Sequence, residues 1–212
     1  MSKIFITGGI SSGKSSFAEK TALSLHKSLV AADTSLYSMG KNDGMLHFIA
    51  TAKTLITDNY QINGTGGRSY EDEEMLLKIS RHKDKRDADF IVHENFKDLN
   101  EEIALILKSP ALSSAVENGI ILIDSMTLWL SSIFIDISCY DYALKSIKKF
   151  SKYLSKIKCS VITVADSLGF NMVPTDAYVR KFIELNGLME QELSAFSDKA
   201  YCVIAGQTIS LK

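Results

Sequence analysis

Short apolar runs alternate with stretches of helical spacing along most of the chain. Lys3 to Ile6 reads as a buried strand, and the chain then reaches Gly8-Gly9. From Ser15 to about His26 the period changes. Ala18, Ala22 and Leu25 then fall at i, i+4 and i+7, one face of a helix. His47 to Ala50 and Phe90 to His93 read as further strands. Gly119 to Asp124 runs four apolar residues into an acid, the pattern of a strand covered on both faces, and Ser160 to Ala165 is similar. Glu71–Arg86, Leu99–Lys108, Thr127–Ile137 and Tyr140–Ser155 read as helices. On the first of these, Met75, Ile79, His82 and Arg86 share one face. Pro174 is expected to open a long last helix with Val179, Phe182, Ile183, Asn186, Met189 and Leu193 in one stripe. Tyr201–Ala205 and Thr208–Leu211 read as a hairpin across Gly206-Gln207. Residues 27–44 have no clear period, and Asn63 to Gly67 reads as a loop.

This alternation predicts an α/β fold in one domain spanning 1–212, its mainly parallel central sheet covered by helices on both faces. Ligands of such sheets bind at the carboxyl ends of the strands. Thr7 to Ser15, Thr51, His93-Glu94, Asp124-Ser125 and Asp166-Ser167 are therefore the first candidates.

The stretch from Gly8 to Ser15, Gly-Gly-Ile-Ser-Ser-Gly-Lys-Ser, makes the fold class specific. It is the full phosphate-binding loop pattern between a strand and a helix, and predicts a P-loop nucleotide-binding fold. Glycine allows the tight turn that aims successive N–H groups at a phosphate, and the helix start adds its partial positive charge. Gly8, Gly9, Ile10, Ser11, Ser12, Gly13, Lys14 and Ser15 are the expected nucleotide contacts. Lys14 reaches the β- and γ-phosphates, and the Ser15 hydroxyl is placed to ligate Mg²⁺.

Composition narrows the partners. The chain has 24 basic and 25 acidic residues, a net charge of −1, which gives no support to nucleic-acid binding. No apolar run approaches a membrane span, and no secretory leader is recognisable, so a cytoplasmic location is expected. Cys139, Cys159 and Cys202 are scattered and lack metal-ligand spacing.

Four residues beyond the loop carry candidate chemistry. Asp124 ends an apolar strand and either holds Mg²⁺ or caps the helix that follows. His82, among Arg81, Lys83 and Lys85, is either a core-facing histidine or a neutral imidazole able to attack phosphorus. Arg86 is a phosphate clamp or a solvated helix-end charge. Glu94 is a nucleoside contact or a surface acid.

Together these residues resemble the bifunctional adenosylcobinamide kinase/adenosylcobinamide-phosphate guanylyltransferase family of cobalamin biosynthesis. The likeness covers nearly the whole chain. It rests on Thr7 to Ser15 with Phe17-Ala18-Glu19, and on His47 to Ala52. It continues through Asp72-Glu73-Glu74-Met75 with Lys78 to His82 and Arg86, Glu94, and Asp124 with Thr127 to Leu130. Val173-Pro174, Arg180, Phe182, Gly187, Gln191, Asp198, Gly206 and Leu211-Lys212 complete it. The resemblance implies phosphorylation of adenosylcobinamide by GTP or ATP. It then implies transfer of GMP from GTP to the phosphorylated corrinoid through a guanylylated His82, with Mg²⁺ as cofactor. Arg86, Glu94 and Asp124 become nucleotide-side residues, and a homotrimer is implied.

Departures from the pattern fall in the loop at Ser11 and, as expected from the sequence, past strand ends at Ser132, Asp166 and Ser167. Ser11 stands where arginine is usual and Ser132 where asparagine is usual. Asp166-Ser167 replaces an asparagine–glutamate pair, Asn171 a glycine, and Glu190 an asparagine. These changes bear on phosphorylation, so guanylyl transfer is expected to be the better retained activity. The other readings of the residues are a P-loop kinase of a different small molecule and a nucleotide-binding regulatory protein with little catalysis.

Overall fold

Strand β1 (Lys3–Gly8) lies inside a seven-stranded sheet, in a computed structural model that describes residues 1–32, 45–52, 89–169 and 173–212. The other strands are β2 (Leu46–Ala50), β3 (Ile91–His93), β4 (Ile120–Asp124), β5 (Ser160–Asp166), β6 (Lys199–Ile204) and β7 (Gln207–Ser210). Their order across the sheet is β3-β2-β4-β5-β1-β6-β7. All neighbours pair in parallel except β6 and β7, which form the expected antiparallel hairpin. The carboxyl ends of β1 to β6 therefore share one edge of the sheet.

Alternate residues of each strand feed two separate cores, as the period of two in a strand requires. Phe5, Ile49, Ile121, Ile123, Val161 and Ala165 face one core. Helices α2 (Leu99–Leu107), α3 (Pro110–Ala115), α4 (Met126–Ile133), α5 (Tyr140–Lys156) and α6 (Ala177–Phe196) supply its other wall. Ile4, Ile6, Phe48, Leu122, Ile162 and Val164 face the second core, against Ala18 and Ala22 of α1 (Lys14–Ala32). Burial of both faces explains why β1, β4 and β5 read as continuous apolar runs rather than as alternating ones. The result is a P-loop nucleotide-binding α/β fold with helices on both faces of the sheet.

Several boundaries differ from the sequence reading, each for a local reason. The last helix begins at Ala177, not Pro174, because the Asp176 carboxylate accepts from the Val179 N–H at 2.9 Å and caps it there. Helix α4 ends at Ile133 rather than Ile137. A short 3-10 turn at Ile137–Cys139, capped by Asp136, then leads into α5. Residues 110–115 form a helix the periodicity did not show, started by the Ser109 cap and Pro110. The expected helix from Glu71 to Arg86 lies outside the described residues.

Candidate active site

The phosphate loop is built from the end of β1 and the start of α1. A Cβ at Gly8 would run into the backbone carbonyl of Val203 on β6, so only glycine fits where the chain leaves the sheet. Gly13 has φ 97°, which glycine adopts without strain. Ser11 also has positive φ, at 60°. The first bond closing α1 runs from the Phe17 N–H to the Gly13 carbonyl at 3.0 Å. Helix geometry thus leaves the N–H groups of Lys14, Ser15 and Ser16 without partners inside the helix, and their dipoles favour an anion at this end. Gly9, Ile10, Ser11 and Gly13 are exposed, and Ser12 and Ser15 half-buried. The Gly206 N–H, from the β6–β7 turn, donates to the Ser12 carbonyl at 2.9 Å and braces the loop from behind.

Lys14 is buried at the bottom of this loop. Its ammonium donates to the Gly9 carbonyl at 3.0 Å and lies 2.5 Å from Asp166 Oδ1. Asp166 reaches it because β5 is the direct neighbour of β1, with Gly8 and Asp166 paired in register. Asp124 is one strand further out, on β4. At about 4.8 Å between strands, it ends about 10 Å across the sheet from β1. Glu94 follows β3 at the far edge of the sheet, about 19 Å away on the same spacing.

Two polar clamps hold the acidic strand ends. Thr51, just past β2, donates its hydroxyl to the Ser125 carbonyl at 2.6 Å and accepts from the Ser125 N–H at 2.8 Å. Its own N–H donates to the Asp124 carbonyl at 3.1 Å. The helix after Asp124 is capped by Ser125, whose Oγ accepts from the Leu128 N–H at 3.3 Å, so Asp124 does not serve as that cap. The second clamp is a closed ring. The Asp166 N–H donates to Thr127 Oγ1 at 2.8 Å, Thr127 donates to Asn186 Oδ1 at 3.0 Å, and Asn186 Nδ2 donates to the Asp166 carbonyl at 2.8 Å. Thr127 and Asn186 are buried, and every polar group in the ring has its partner.

Behind Asp166 stands Glu190, one helical turn after Asn186 on α6. The Thr7 hydroxyl donates to Glu190 Oε1. Burial pushes the Glu190 carboxyl above the usual range, the Thr7 bond pulls it back, and the charge of Asp166 pushes it up again. The sequence reading noted Glu190 only as a departure, and Thr127 and Asn186 only as parts of a motif and a helix stripe. One signal was present: an asparagine at a core position of an apolar stripe needs a buried partner.

Of the remaining sequence-named residues, Ser167 follows β5, its N–H donating to the Gly8 carbonyl at 2.9 Å. Ser132 is not past a strand end. It lies in the last turn of α4, exposed, its hydroxyl on the Trp129 carbonyl at 2.7 Å. His82, Arg86 and Asn171 lie outside the described residues.

The donor chemistry near the loop suits Mg²⁺. Ser15 and Asp124 offer hard oxygens, and among the described residues no group of three or more His, Cys, Asp or Glu could hold a metal by itself. Mg²⁺ accepts such oxygens, with phosphates and water completing its shell. Among the described residues no helix is long and apolar enough to cross a membrane.

The model of the CobU family, cobinamide kinase / cobinamide phosphate guanyltransferase, matches residues 4–211. The chain is 25% identical to the bifunctional adenosylcobalamin biosynthesis protein CobP of Pseudomonas aeruginosa, over 98% of this chain and 95% of that one. It is 24% identical to the bifunctional adenosylcobalamin biosynthesis protein CobU of Salmonella typhimurium, over 76% of this chain and 91% of that one. A crystal structure of a KaiC-like protein from Pyrococcus horikoshii superposes with a TM-score of 0.41 at 10% identity, covering 95% of this chain and 70% of that one.

Proposed function

Because the chain belongs to the cobinamide kinase / cobinamide phosphate guanyltransferase family, we propose that it catalyses both reactions that this description names. In the first, ATP or GTP phosphorylates the hydroxyl of an adenosylcobinamide-type corrinoid. In the second, GTP guanylylates His82 with release of pyrophosphate, and the phosphorylated corrinoid takes the GMP from the histidine.

The observation that carries the reading is the phosphate loop, with the buried ammonium of Lys14 at its base, in a chain matched by the family from residue 4 to residue 211. Lys14 and the N–H groups of Lys14, Ser15 and Ser16 bind and neutralise a triphosphate. Ser15 and Asp124 would hold Mg²⁺, which supplies further charge neutralisation when bound. The Thr51 clamp fixes the backbone from which the Asp124 carboxylate projects. His82 acts as the nucleophile, splitting one difficult displacement into two easier ones. Arg86 clamps phosphate and Glu94 contacts the nucleoside. Guanylyl transfer remains the better supported half, because Ser11 cannot supply the fixed charge of an arginine near the phosphates.

Intact-mass spectrometry after incubation with GTP and Mg²⁺ tests the reading. One GMP is expected per chain, as a phosphoramidate labile to acid and stable to mild alkali, and absent from a folded His82→Ala variant. No adduct on the wild type, or an adduct that persists without His82, overturns the histidine's role.

A further inference from the structure

We propose that Asp166, backed by Glu190, is the base that takes the proton from the acceptor hydroxyl during phosphoryl transfer. The inference rests on the phosphorylating half of the function proposed above.

Position is the first argument. Lys14 is the group that meets the transferring phosphate, and the Asp166 carboxylate shares its ammonium at 2.5 Å. An acceptor oxygen lined up on the terminal phosphate therefore comes within reach of Asp166. Asp124, one strand further from the loop, is not so placed. The Asp166 side chain keeps 21% of its exposure, whereas that of Lys14 keeps 9%.

Rigidity is the second. The backbone of Asp166 is held on both sides, at its N–H by Thr127 and at its carbonyl by Asn186. A base must stand within hydrogen-bond reach of the proton it removes, and the buried ring fixes where this carboxylate starts.

Release of the carboxylate is the third. Lys14 from α1 and Glu190 from α6 both stand beside Asp166. Before nucleotide binds, Lys14 compensates the charge of Asp166. Phosphate draws that ammonium away and frees the carboxylate to accept a proton. Glu190, pushed up by burial, is held in place by the Thr7 hydroxyl. Ser167 has no carboxylate to offer, so the acid of this strand end sits at 166.

The step balances. The acceptor O–H bond breaks and its proton goes to the free oxygen of Asp166. The acceptor oxygen forms a bond to the terminal phosphorus. The bond from that phosphorus to the bridging oxygen breaks, and the departing nucleoside diphosphate keeps the electron pair.

The test follows cobinamide phosphorylation by ATP or GTP in single turnovers from pH 5 to 9, with nucleotide affinity measured by calorimetry. Asp166→Asn is expected to lower the rate about 100-fold or more. It should bind nucleotide at least as tightly as the wild type, since Lys14 loses a competing anion. General damage would instead lower the rate and the affinity together. The wild-type rate should fall on the acid side, and this fall should vanish in Asp166→Asn. Asp166→Glu should recover part of the rate. An Asp166→Asn variant that phosphorylates as fast as the wild type, or keeps the acid-side fall, overturns the proposal alone. A wild type that forms the GMP adduct but phosphorylates no corrinoid overturns the phosphorylating half of the function, and this base with it.

Discussion

Asn186 Nδ2 donates to the Asp166 carbonyl at 2.8 Å, and so ties the buried face of the last long helix to the strand end beside the phosphate loop. The same amide accepts from Thr127 through its oxygen, leaving no polar atom of the ring unpaired.

Asn186→Leu should therefore be destabilising despite the apolar surroundings. It leaves the Thr127 O–H without an acceptor and the Asp166 carbonyl without its side-chain donor, a loss of about 2–6 kcal/mol at ~1–3 kcal/mol for each group. Chemical denaturation checks this; an unchanged midpoint would show that the ring is dispensable.

Lys14→Ala should weaken nucleotide binding at least ~100-fold, at the strong end of charge-assisted contacts. The variant loses the ammonium and leaves the Asp166 carboxylate uncompensated. Calorimetric titration with GTP and Mg²⁺ measures it, and equal affinity in both proteins would remove the loop from the nucleotide site.

Glu190 gives a pH dependence of stability whose sign follows from its raised carboxyl. Between the ordinary carboxyl value of 4.5 and its higher folded value, the native state holds more proton than the unfolded chain. Its contribution is thus fully present below 4.5 and is lost as pH rises through the folded value. Glu190→Gln should be more stable than the wild type at pH 8, with the gap closing toward pH 4. Thermal melts across that range decide it, and a gap that widens on acidification would contradict the assignment.

The β6–β7 turn offers a gain in stability. Its two residues, Ala205 and Gly206, both have positive φ, at 50° and 77°. Such a two-residue hairpin loop suits Asn-Gly better than Ala-Gly. Ala205→Asn should stabilise the protein by about 0.5–1 kcal/mol, read as a higher denaturation midpoint. A lower midpoint would count against this account of the turn.

The sequence by itself determined the elements and the loop. The apolar runs that became β1, β4 and β5, the helix face of α1, and the glycines of the phosphate loop all express local rules of period and backbone freedom. Those rules act within a few residues, so they are legible without coordinates. They failed where a cap outweighed periodicity, as at Asp176, which starts the last helix three residues after the proline that seemed to open it. Strand order was decided only in three dimensions. It inserts β5 between β1 and β4, so the acid that meets Lys14 is Asp166, while Asp124 ends a strand further out and Glu94 stands at the sheet's edge. Sheet pairing and helix docking also brought Thr7 to Glu190 and Thr127 to Asn186. Such contacts are fixed by the packing of whole faces between residues far apart in the chain, and no local period encodes them.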